Sequence, residues 1–286
     1  MKKTFPKSFA TLALFFLWPF LSHAQLSGGS GPAPVNDSLI KIAYNGISVN
    51  VVIAKPDADT ADALLIFHGT VTWDSLIVPA AYTALNKVRN ITTIPNILFV
   101  SVAYPEEGLL MGDNIRQSEA ALLWLKNMAP RQLNIYIRKV FLVGHSQGGY
   151  IVTRLNTLHK TDGVVANAPG PLNLKYRCTL EENRQINSSA VCDRMREEYG
   201  SVLHDPGPYI DRSLLNYTSD HKGDILFIQG MKDAPIQMAS YPLFKKKLES
   251  CISCKSCQFY EAPDYGHTAL FESPGARIVF NQFLTR

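Results

Sequence analysis

The stretch from position 140 to position 149 reads Val140-Phe141-Leu142-Val143-Gly144-His145-Ser146-Gln147-Gly148-Gly149. Its four leading apolar residues are typical of a strand buried on both faces, and the residues from Gln147 to His159 have a helical pattern. The G-x-S-x-G sequence therefore occupies a sharp strand-to-helix turn. Side chains two positions on either side of the serine would collide in such a turn, so glycine is needed there. The stretch predicts a strained Ser146 that projects above a sheet.

Short, continuous apolar runs on both sides of this turn predict a mostly parallel sheet. The predicted strands are Ala63–Phe67, Ile97–Ala103, Val140–Val143, Gly163–Ala166, Ile225–Ile228 and Cys257–Glu261. The predicted helices are Asp113–Met128, with Asp113 as its cap and Pro130 as its stop, Gln147–His159, Met238–Leu248 and Pro274–Leu284. Strands that alternate with helices indicate an α/β fold, an open sheet with helices on both faces.

Two segments depart from this alternation. Leu39–Tyr44 and Ile47–Ile53 flank Asn45-Gly46, a turn signal that predicts an antiparallel hairpin at the start of the fold. The polar segment from Pro169 to Lys222 has no apolar run that matches a sheet strand, and it is too long for an ordinary loop. We interpret residues 169–222 as a cap-like insert between strands 6 and 7. A surface excursion without a role in the site is the alternative.

The first 24 residues have the pattern of an export signal. Lys2, Lys3 and Lys7 precede an apolar run of about a dozen residues, and Ser22-His23-Ala24 fits an A-x-A-like cleavage site. Such a run is shorter than the roughly 20 residues that span a membrane, so a retained anchor is the weaker alternative. We predict a signal peptide over residues 1–24, a single domain over residues 25–286 and a secreted or periplasmic location.

The charge balance argues against nucleic acid as a partner. The chain has 28 Lys and Arg against 24 Asp and Glu, and three of the lysines lie in the predicted signal. A nearly neutral mature chain offers no electrostatic attraction for nucleic acid or for an anionic membrane. No later segment has 18 consecutive apolar residues, so we predict no membrane anchor after signal cleavage. The sequence leaves the oligomeric state open.

The five cysteines predict disulfides if the chain is exported, because export places them in an oxidising compartment. Cys178 and Cys192 would close a loop of about 14 residues, which stabilises the fold by roughly 3 kcal/mol. Cys251, Cys254 and Cys257 form C-x-x-C-x-x-C, which could instead bind zinc or act as a redox pair. A structural zinc site needs four ligands, so we predict no metal. The spacing does not identify the thiol that is left over.

A serine hydroxyl is a poor nucleophile at neutral pH and needs an adjacent base, which an acid must orient. After a G-x-S-x-G turn these partners follow as an acid and then a histidine. Asp233 follows the predicted strand Ile225–Ile228 at the edge where parallel sheets form sites. His267 lies between the last predicted strand and the terminal helix. We predict a triad of Ser146, Asp233 and His267; the competing acids are Asp205, Asp211, Asp220, Asp224 and Asp264.

Acyl transfer also needs hydrogen-bond donors for the oxyanion of the tetrahedral intermediate. The N–H of Gln147, directly after the serine, is the first predicted donor. The loop after Ala63–Phe67 reads His68-Gly69-Thr70, a shortened form of the H-G-G-G loop, and predicts the N–H of Thr70 as the second. Val71 is the fallback, and an ordinary strand-ending turn is the alternative.

Together these motifs resemble the α/β-hydrolase superfamily over nearly all of the chain beyond residue 24. Gly144–Gly149, Gly230–Asp233 and Gly266-His267 are similar to the nucleophile, acid and base segments of the dienelactone-hydrolase and prolyl-oligopeptidase branches. The resemblance implies a serine esterase or peptidase without a cofactor. Dienelactone hydrolases usually carry cysteine at the position of Ser146, and prolyl oligopeptidases usually carry a β-propeller that this chain is too short to hold. The branch is therefore open.

The favoured function is hydrolysis of a small-molecule carboxylic ester through an acyl-enzyme on Ser146. A small exported peptidase or a transacylase would use the same residues. A binding protein on an inactive hydrolase scaffold is a further alternative. The chain retains the serine, the histidine and the glycines of the turn, which favours an enzyme.

Overall fold

The computed structural model describes residues 37–104 and 115–286. Its strands are β1 (Ser38–Tyr44), β2 (Ile47–Ala54), β3 (Thr60–Phe67), β4 (Ile97–Ala103), β5 (Tyr136–His145), β6 (Gly163–Asn167), β7 (Asp224–Gly230) and β8 (Ser256–Ala262). They form an eight-stranded sheet in the order β1-β2-β4-β3-β5-β6-β7-β8. Strand β2 pairs antiparallel with β1 and β4, and the pairs from β4 across to β8 are parallel. The predicted sheet and its N-terminal hairpin are confirmed.

Helices cover both faces of the sheet. They are α1 (Ile77–Ile91), α2 (Ile115–Asn127), α3 (Ala129–Gln132), α4 (Gln147–Leu158), α5 (Leu174–Glu182), α6 (Ala190–Tyr199), α7 (Gly207–Asp211), α8 (Pro235–Glu249), α9 (Ala269–Glu272) and α10 (Pro274–Leu284). Helices α2, α4 and α8 pack on one face, and α1, α9 and α10 pack on the other. Strands β4 and β6 are buried at every position because helices cover both of their faces.

Several helices differ from the sequence prediction. Helix α1 was not predicted, and it starts without a capping side chain, which is the usual start signal. The insert helices and α9 were not predicted either. The predicted helix Asp113–Met128 corresponds to α2, and its predicted cap Asp113 lies outside the described residues. Pro130 does not simply stop that helix. It occupies the first turn of the separate helix α3, where a missing N–H is tolerated.

The predicted insert is helical, with α5, α6 and α7 between β6 and β7, a stretch that the structure describes in full and in which it shows no strand. These helices share a small core of their own, formed by Leu174, Cys178, Cys192, Met195, Val202 and Tyr209. The predicted disulfide between Cys178 and Cys192 joins α5 to α6, with 5.4 Å between the two Cα atoms. The insert is cross-linked internally, and Leu172, Val191 and Leu214 pack in or against the main core.

The other three cysteines divide into a pair and a free thiol. Cys251 and Cys254 form a disulfide in the turn before β8. Cys257 is free and lies on β8, where it packs against the core beneath α8. Burial is the main reason that the pKa of its thiol is raised to about 11. The strand position directs Cys257 to the core and leaves the two turn residues to pair.

The predicted signal peptide, residues 1–24, lies outside the described residues, so its cleavage stays a prediction. Within residues 37–104 and 115–286, each helix is too short or too polar to cross a bilayer. In the same ranges, His, Cys, Asp and Glu side chains form no group of three or more that could hold a metal ion.

Candidate active site

Ser146 stands in the turn between β5 and α4 with φ 57° and ψ −116°, a strained backbone conformation for a residue with a side chain. Its N–H donates to the carbonyl of Asn167 over 2.9 Å, which ties the turn to the neighbouring strand β6. A Cβ on Gly144 would overlap the backbone of Gly148, and a Cβ on Gly148 would overlap the carbonyl of Phe67. The turn therefore requires both glycines, as the sequence predicted.

Asp233 and His267 meet at the same edge of the sheet. The Nδ1 of His267 lies 2.9 Å from Oδ2 and 3.1 Å from Oδ1 of Asp233, so the ring donates its Nδ1 proton to the carboxylate. The Asp233 side chain is 2% exposed and that of His267 is 44% exposed. A buried acid thus fixes the orientation and the tautomer of a ring that reaches open space.

Two further donors complete the shell around Asp233. The amide of Gln229 donates to Oδ2 over 2.9 Å, and the N–H of Ala234 donates to Oδ1 over 2.6 Å. Burial alone raises the pKa of Asp233, but the hydrogen bonds from His267, Gln229 and Ala234 outweigh it and lower that pKa below its ordinary value. Asp233 is therefore an ionised carboxylate over the whole neutral range.

The turns that carry Asp233 and His267 are locked together by backbone contacts. The N–H of Lys232 donates to the carbonyl of Tyr265 over 2.9 Å. A Cβ on Gly230 would overlap the carbonyl of Gly266, so Gly230 allows the two turns to touch. Both segments are recognisable as motifs in the sequence, but the contact between them was not predicted. Gly230, directly before the Asp233 turn, is the local signal that could have indicated it.

Asn167, at the end of β6, is a structural residue that the sequence analysis missed. Its amide donates to Nδ1 of His145 over 2.7 Å and to the carbonyl of His267 over 3.2 Å, and its oxygen accepts from the N–H of Leu270 over 3.1 Å. It therefore joins the serine turn to the histidine loop. A polar residue at the carboxyl end of a buried central strand could have indicated this position.

His145 and His267 are neighbouring rings at the site. Their ring centroids are 4.9 Å apart. Burial, followed by repulsion from His267 and Lys87, lowers the pKa of His145 to about 3. His145 is therefore neutral and accepts the hydrogen bond from Asn167 at Nδ1. Its ring supports the site, while the more exposed His267 holds the position of a base.

Ser146, Asp233 and His267 line one cavity of about 450 Å³. Thr70 lies on its wall, and the other described lining residues are Gly170, Pro171, Leu174, Arg177, Val191, Lys232, Ala234, Ile236 and Gln237. Among the described residues, no hydrogen bond joins the Ser146 hydroxyl to His267.

The predicted oxyanion donors both lie beside Ser146. Gln147 is the first residue of α4, at the positive end of the helix dipole. Thr70 lines the Ser146 cavity, whereas Val71 lines a separate apolar cavity against α1. A Cβ on Gly69 would lie 3.5 Å from Cβ of Ser146, so this loop passes directly over the serine. Thr70 is better placed than its fallback.

His68 explains how that loop is oriented. It is buried, and its Nδ1 lies 2.7 Å from the carbonyl of Gly69, while the Tyr104 hydroxyl donates to the His68 carbonyl. Burial lowers the pKa of His68, so the ring is neutral and donates from Nδ1. Because C=O and N–H point in opposite directions in a trans peptide, this contact aims the Thr70 N–H away from the His68 ring.

Solved structures with the same fold are found, although the sequence matches no protein-family model and no curated protein. The acylaminoacyl peptidase of Pyrococcus horikoshii aligns with a TM-score of 0.62 and 12% identity over 87% of this chain. This chain spans 41% of that peptidase. The Pyrococcus furiosus esterase PF2001 aligns with a TM-score of 0.61 and 15% identity, covering 91% of this chain and 95% of the esterase.

Est1E from Butyrivibrio proteoclasticus aligns with a TM-score of 0.58 and 13% identity, over 87% of this chain and 99% of that protein. These structures share the α/β-hydrolase fold, and they include prolyl-oligopeptidase-like and dienelactone-hydrolase-like branches. At such low identities the likeness concerns the fold. The predicted α/β-hydrolase fold is therefore confirmed.

Proposed function

We propose that this chain is a serine hydrolase that cleaves carboxylic esters, with Ser146 as nucleophile, His267 as base and Asp233 as the orienting acid. One observation carries the proposal: a serine in strained turn geometry shares a cavity with a histidine whose Nδ1 is held 2.9 Å from a buried carboxylate. That arrangement leaves Nε2 of His267 to receive the serine proton.

In the proposed reaction, Ser146 Oγ attacks the acyl carbon and Nε2 of His267 takes the hydroxyl proton. The oxyanion is stabilised by the N–H groups of Gln147 and Thr70. The C–O bond to the alcohol then breaks, and His267 returns the proton to the departing oxygen. Water, deprotonated by His267, attacks the resulting serine ester. Collapse of the second tetrahedral intermediate releases the carboxylic acid and restores Ser146.

We also propose that residues 169–222 act as a cap that selects the substrate. Gly170, Pro171, Leu174, Arg177 and Val191 supply one wall of the cavity that contains Ser146. The opposite wall comes from the sheet edge and α8. A substrate that reaches the serine therefore contacts side chains of both regions.

We further propose that the protein works outside the cytoplasm. The first 24 residues have the signal pattern, and the disulfides Cys178–Cys192 and Cys251–Cys254 are typical of an oxidising compartment. The mature chain would begin at Gln25.

A peptidase is the second candidate, because the acylaminoacyl peptidase neighbour shares the fold and the same triad can cleave amides. Parallel assays with a 4-nitrophenyl ester and a 4-nitroanilide of the same acyl group separate the two functions. Comparable kcat/KM values on both would replace the ester proposal with a peptidase. An ester preference of several orders of magnitude supports the esterase.

The decisive experiment uses the chain from Gln25 onward and its Ser146→Ala variant, both shown to be folded by circular dichroism. We expect the wild type to hydrolyse 4-nitrophenyl butyrate and the variant to lose about 10⁴-fold or more of kcat, as triad serines do. A fluorophosphonate probe should label the wild type at Ser146. Activity that survives in the variant, or folded wild type that neither labels nor hydrolyses any ester, would overturn the proposal.

A further inference from the structure

Two cationic side chains reach the cavity that contains Ser146, and they are held in different ways. Lys232 pairs with Asp264 on the surface, where the two side chains are 64% and 81% exposed. Arg177, on the insert helix α5, donates from Nε to Glu181 over 2.9 Å, and the Glu181 side chain is 2% exposed. Lys232 is paired with an exposed carboxylate, whereas Arg177 is anchored by a buried one.

The Glu181 carboxylate is satisfied on its far side as well. The N–H of Ser189 donates to it over 2.8 Å, and the Ser189 hydroxyl donates over 2.7 Å. Because Ser189 caps the start of α6, these contacts also tie α6 to α5. Glu181 therefore fixes the direction of Arg177 without depending on any ligand.

Arg177 has hydrogen-bond donors that its contact with Glu181 does not use. A guanidinium has five N–H groups, and the contact with Glu181 uses the one on Nε. Within residues 37–104 and 115–286, its two terminal nitrogens have no hydrogen-bond acceptor. The side chain is 36% exposed and lines the cavity that contains Ser146.

The rest of the cavity fits a hydrocarbon chain between this cation and the serine. Pro171, Leu174, Val191, Ala234 and Ile236 are apolar residues on the wall. Asp233 is the acidic one among the described lining residues, and its carboxylate is already occupied by three donors. The cavity, at about 450 Å³, is in the range of sites for small molecules.

We propose that the substrate is an ester that carries a free carboxylate, and that the terminal nitrogens of Arg177 bind this group while Ser146 attacks the ester carbonyl. This inference rests on the proposed esterase function. The planar guanidinium fork matches the two oxygens of a carboxylate, and its fixed anchor reduces the ordering cost of binding. Half-esters of dicarboxylic acids and esters of hydroxy acids are the substrate classes that follow.

The test compares two matched pairs of esters, one for each side of the scissile bond. The acyl-side pair is 4-nitrophenyl hydrogen adipate and its neutral methyl ester. The alcohol-side pair is 4-acetoxybenzoate and its methyl ester. We expect kcat/KM for the charged member of at least one pair to exceed that of the neutral member by about tenfold or more, since a charge-assisted contact of about 1.4 kcal/mol gives that ratio.

Arg177→Met should abolish this preference, so that the ratio of kcat/KM between the charged and the neutral member of each pair falls to about one. Lys232→Met is the matched control, because it removes the other cavity cation, and it should keep the preference. If Arg177→Met perturbs the insert, Arg177→Lys retains a cation beside Glu181 but lacks the fork, and it should reduce the preference. Equal rates on charged and neutral esters in the wild type, or a preference lost with Lys232, would overturn the inference.

A binding measurement separates this inference from the esterase proposal. Monomethyl adipate is titrated calorimetrically into folded Ser146→Ala and into Ser146→Ala with Arg177→Met. We expect the Kd to rise about tenfold or more in the double variant. If Arg177 is needed for binding but the wild type hydrolyses no ester, the esterase proposal is refuted and the carboxylate site stands. Equal affinity in both variants would refute the site even if esters are cleaved.

Discussion

Asp233 and Glu181 are two buried carboxylates, of which Asp233 lines the cavity and Glu181 holds Arg177, another residue of the cavity wall. Each side chain is 2% exposed, and each holds a more exposed ionisable side chain, His267 at 44% and Arg177 at 36%. Asp233 belongs to the sheet edge, where β7, β8 and the serine turn meet. Glu181 belongs to the insert. Among the described residues, its side chain accepts hydrogen bonds from Arg177 and Ser189 and from no residue of the sheet edge.

A buried carboxylate that orients a more exposed side chain therefore occurs twice, with two proposed roles. At the sheet edge, a buried acid orients a group that moves protons, and its contacts with Gln229 and Ala234 are set by the turn after β7. In the insert, a buried acid orients a group that holds charge in place. The comparison predicts that damage to the sheet edge lowers the rate for all esters, whereas damage to the insert changes which ester is preferred.

The largest expected effect comes from replacing Asp233, and the same acid-to-amide change at Glu181 is its comparison. Asp233→Asn should lower kcat about 10⁴-fold on every ester, because an amide N–H facing Nδ1 favours the wrong tautomer of His267. Glu181→Gln should change kcat on neutral esters by about threefold or less and should weaken the preference for charged ones. Steady-state kinetics on the adipate pair measures both. An equal loss of kcat on charged and neutral esters in Glu181→Gln would contradict the assignment of ester preference to the insert and of rate to the sheet edge.

Removal of the disulfide in the insert is expected to have the next largest effect. Cys178→Ala with Cys192→Ala opens a loop of 14 residues and should reduce the free energy of unfolding by about 3 kcal/mol. Hydrolysis of neutral esters should persist at low temperature, since the sheet edge is intact. Urea unfolding measures the stability.

Cys251→Ala with Cys254→Ala is the matched control for that experiment. Its loop is much shorter, so the expected loss is about 2 kcal/mol in the same chain-entropy treatment. A larger loss from this control than from the insert pair would contradict the prediction.

A smaller effect is expected at His221, where the insert rejoins the sheet. Its side chain is buried between Asn156 and the carbonyl of Tyr217. Burial lowers its pKa from 6.5 to about 4. Between these values the unfolded chain binds a proton that the folded chain does not, so stability falls as the pH drops. At pH 5 the loss is about 2 kcal/mol.

His221→Gln should remove this part of the pH dependence between pH 7 and pH 4, whatever it does to stability at pH 7. Urea unfolding at several pH values measures the slope. His204→Gln is the control, because it makes the same substitution at an exposed histidine. Identical slopes in wild type and His221→Gln would contradict the assigned burial effect.

Sequence alone was enough for features whose signal is local. The serine turn, the Asn45-Gly46 hairpin and the apolar strands depend on neighbours a few positions away, so their residues carry the pattern. The positions of Asp233 and His267 followed from the strands that precede them. Their contact with each other is a property of the fold, and the structure brings them within 2.9 Å.

Features that depend on distant neighbours could not be predicted. Asn167 contacts Leu270 across a separation of 103 residues, and Gly230 is required by the carbonyl of Gly266. Arg177 and Glu181 were not singled out from the sequence, because nothing local shows that Arg177 lines the cavity or that Glu181 is buried. The C-x-x-C-x-x-C segment left its pairing open because strand direction, not spacing, decides which thiol faces the core.

The position of β8 at one end of the sheet has a consequence for the timing of folding. His267 follows this last strand, about 120 residues after the serine, and is held by contacts with Asp233 and Asn167. On the proposed mechanism, a chain that is still emerging from the ribosome would have its nucleophile Ser146 but not its base His267. On the proposed mechanism, recovery of ester hydrolysis during refolding would therefore report the docking of the final strand, and a partly synthesised chain would be harmless to cellular esters.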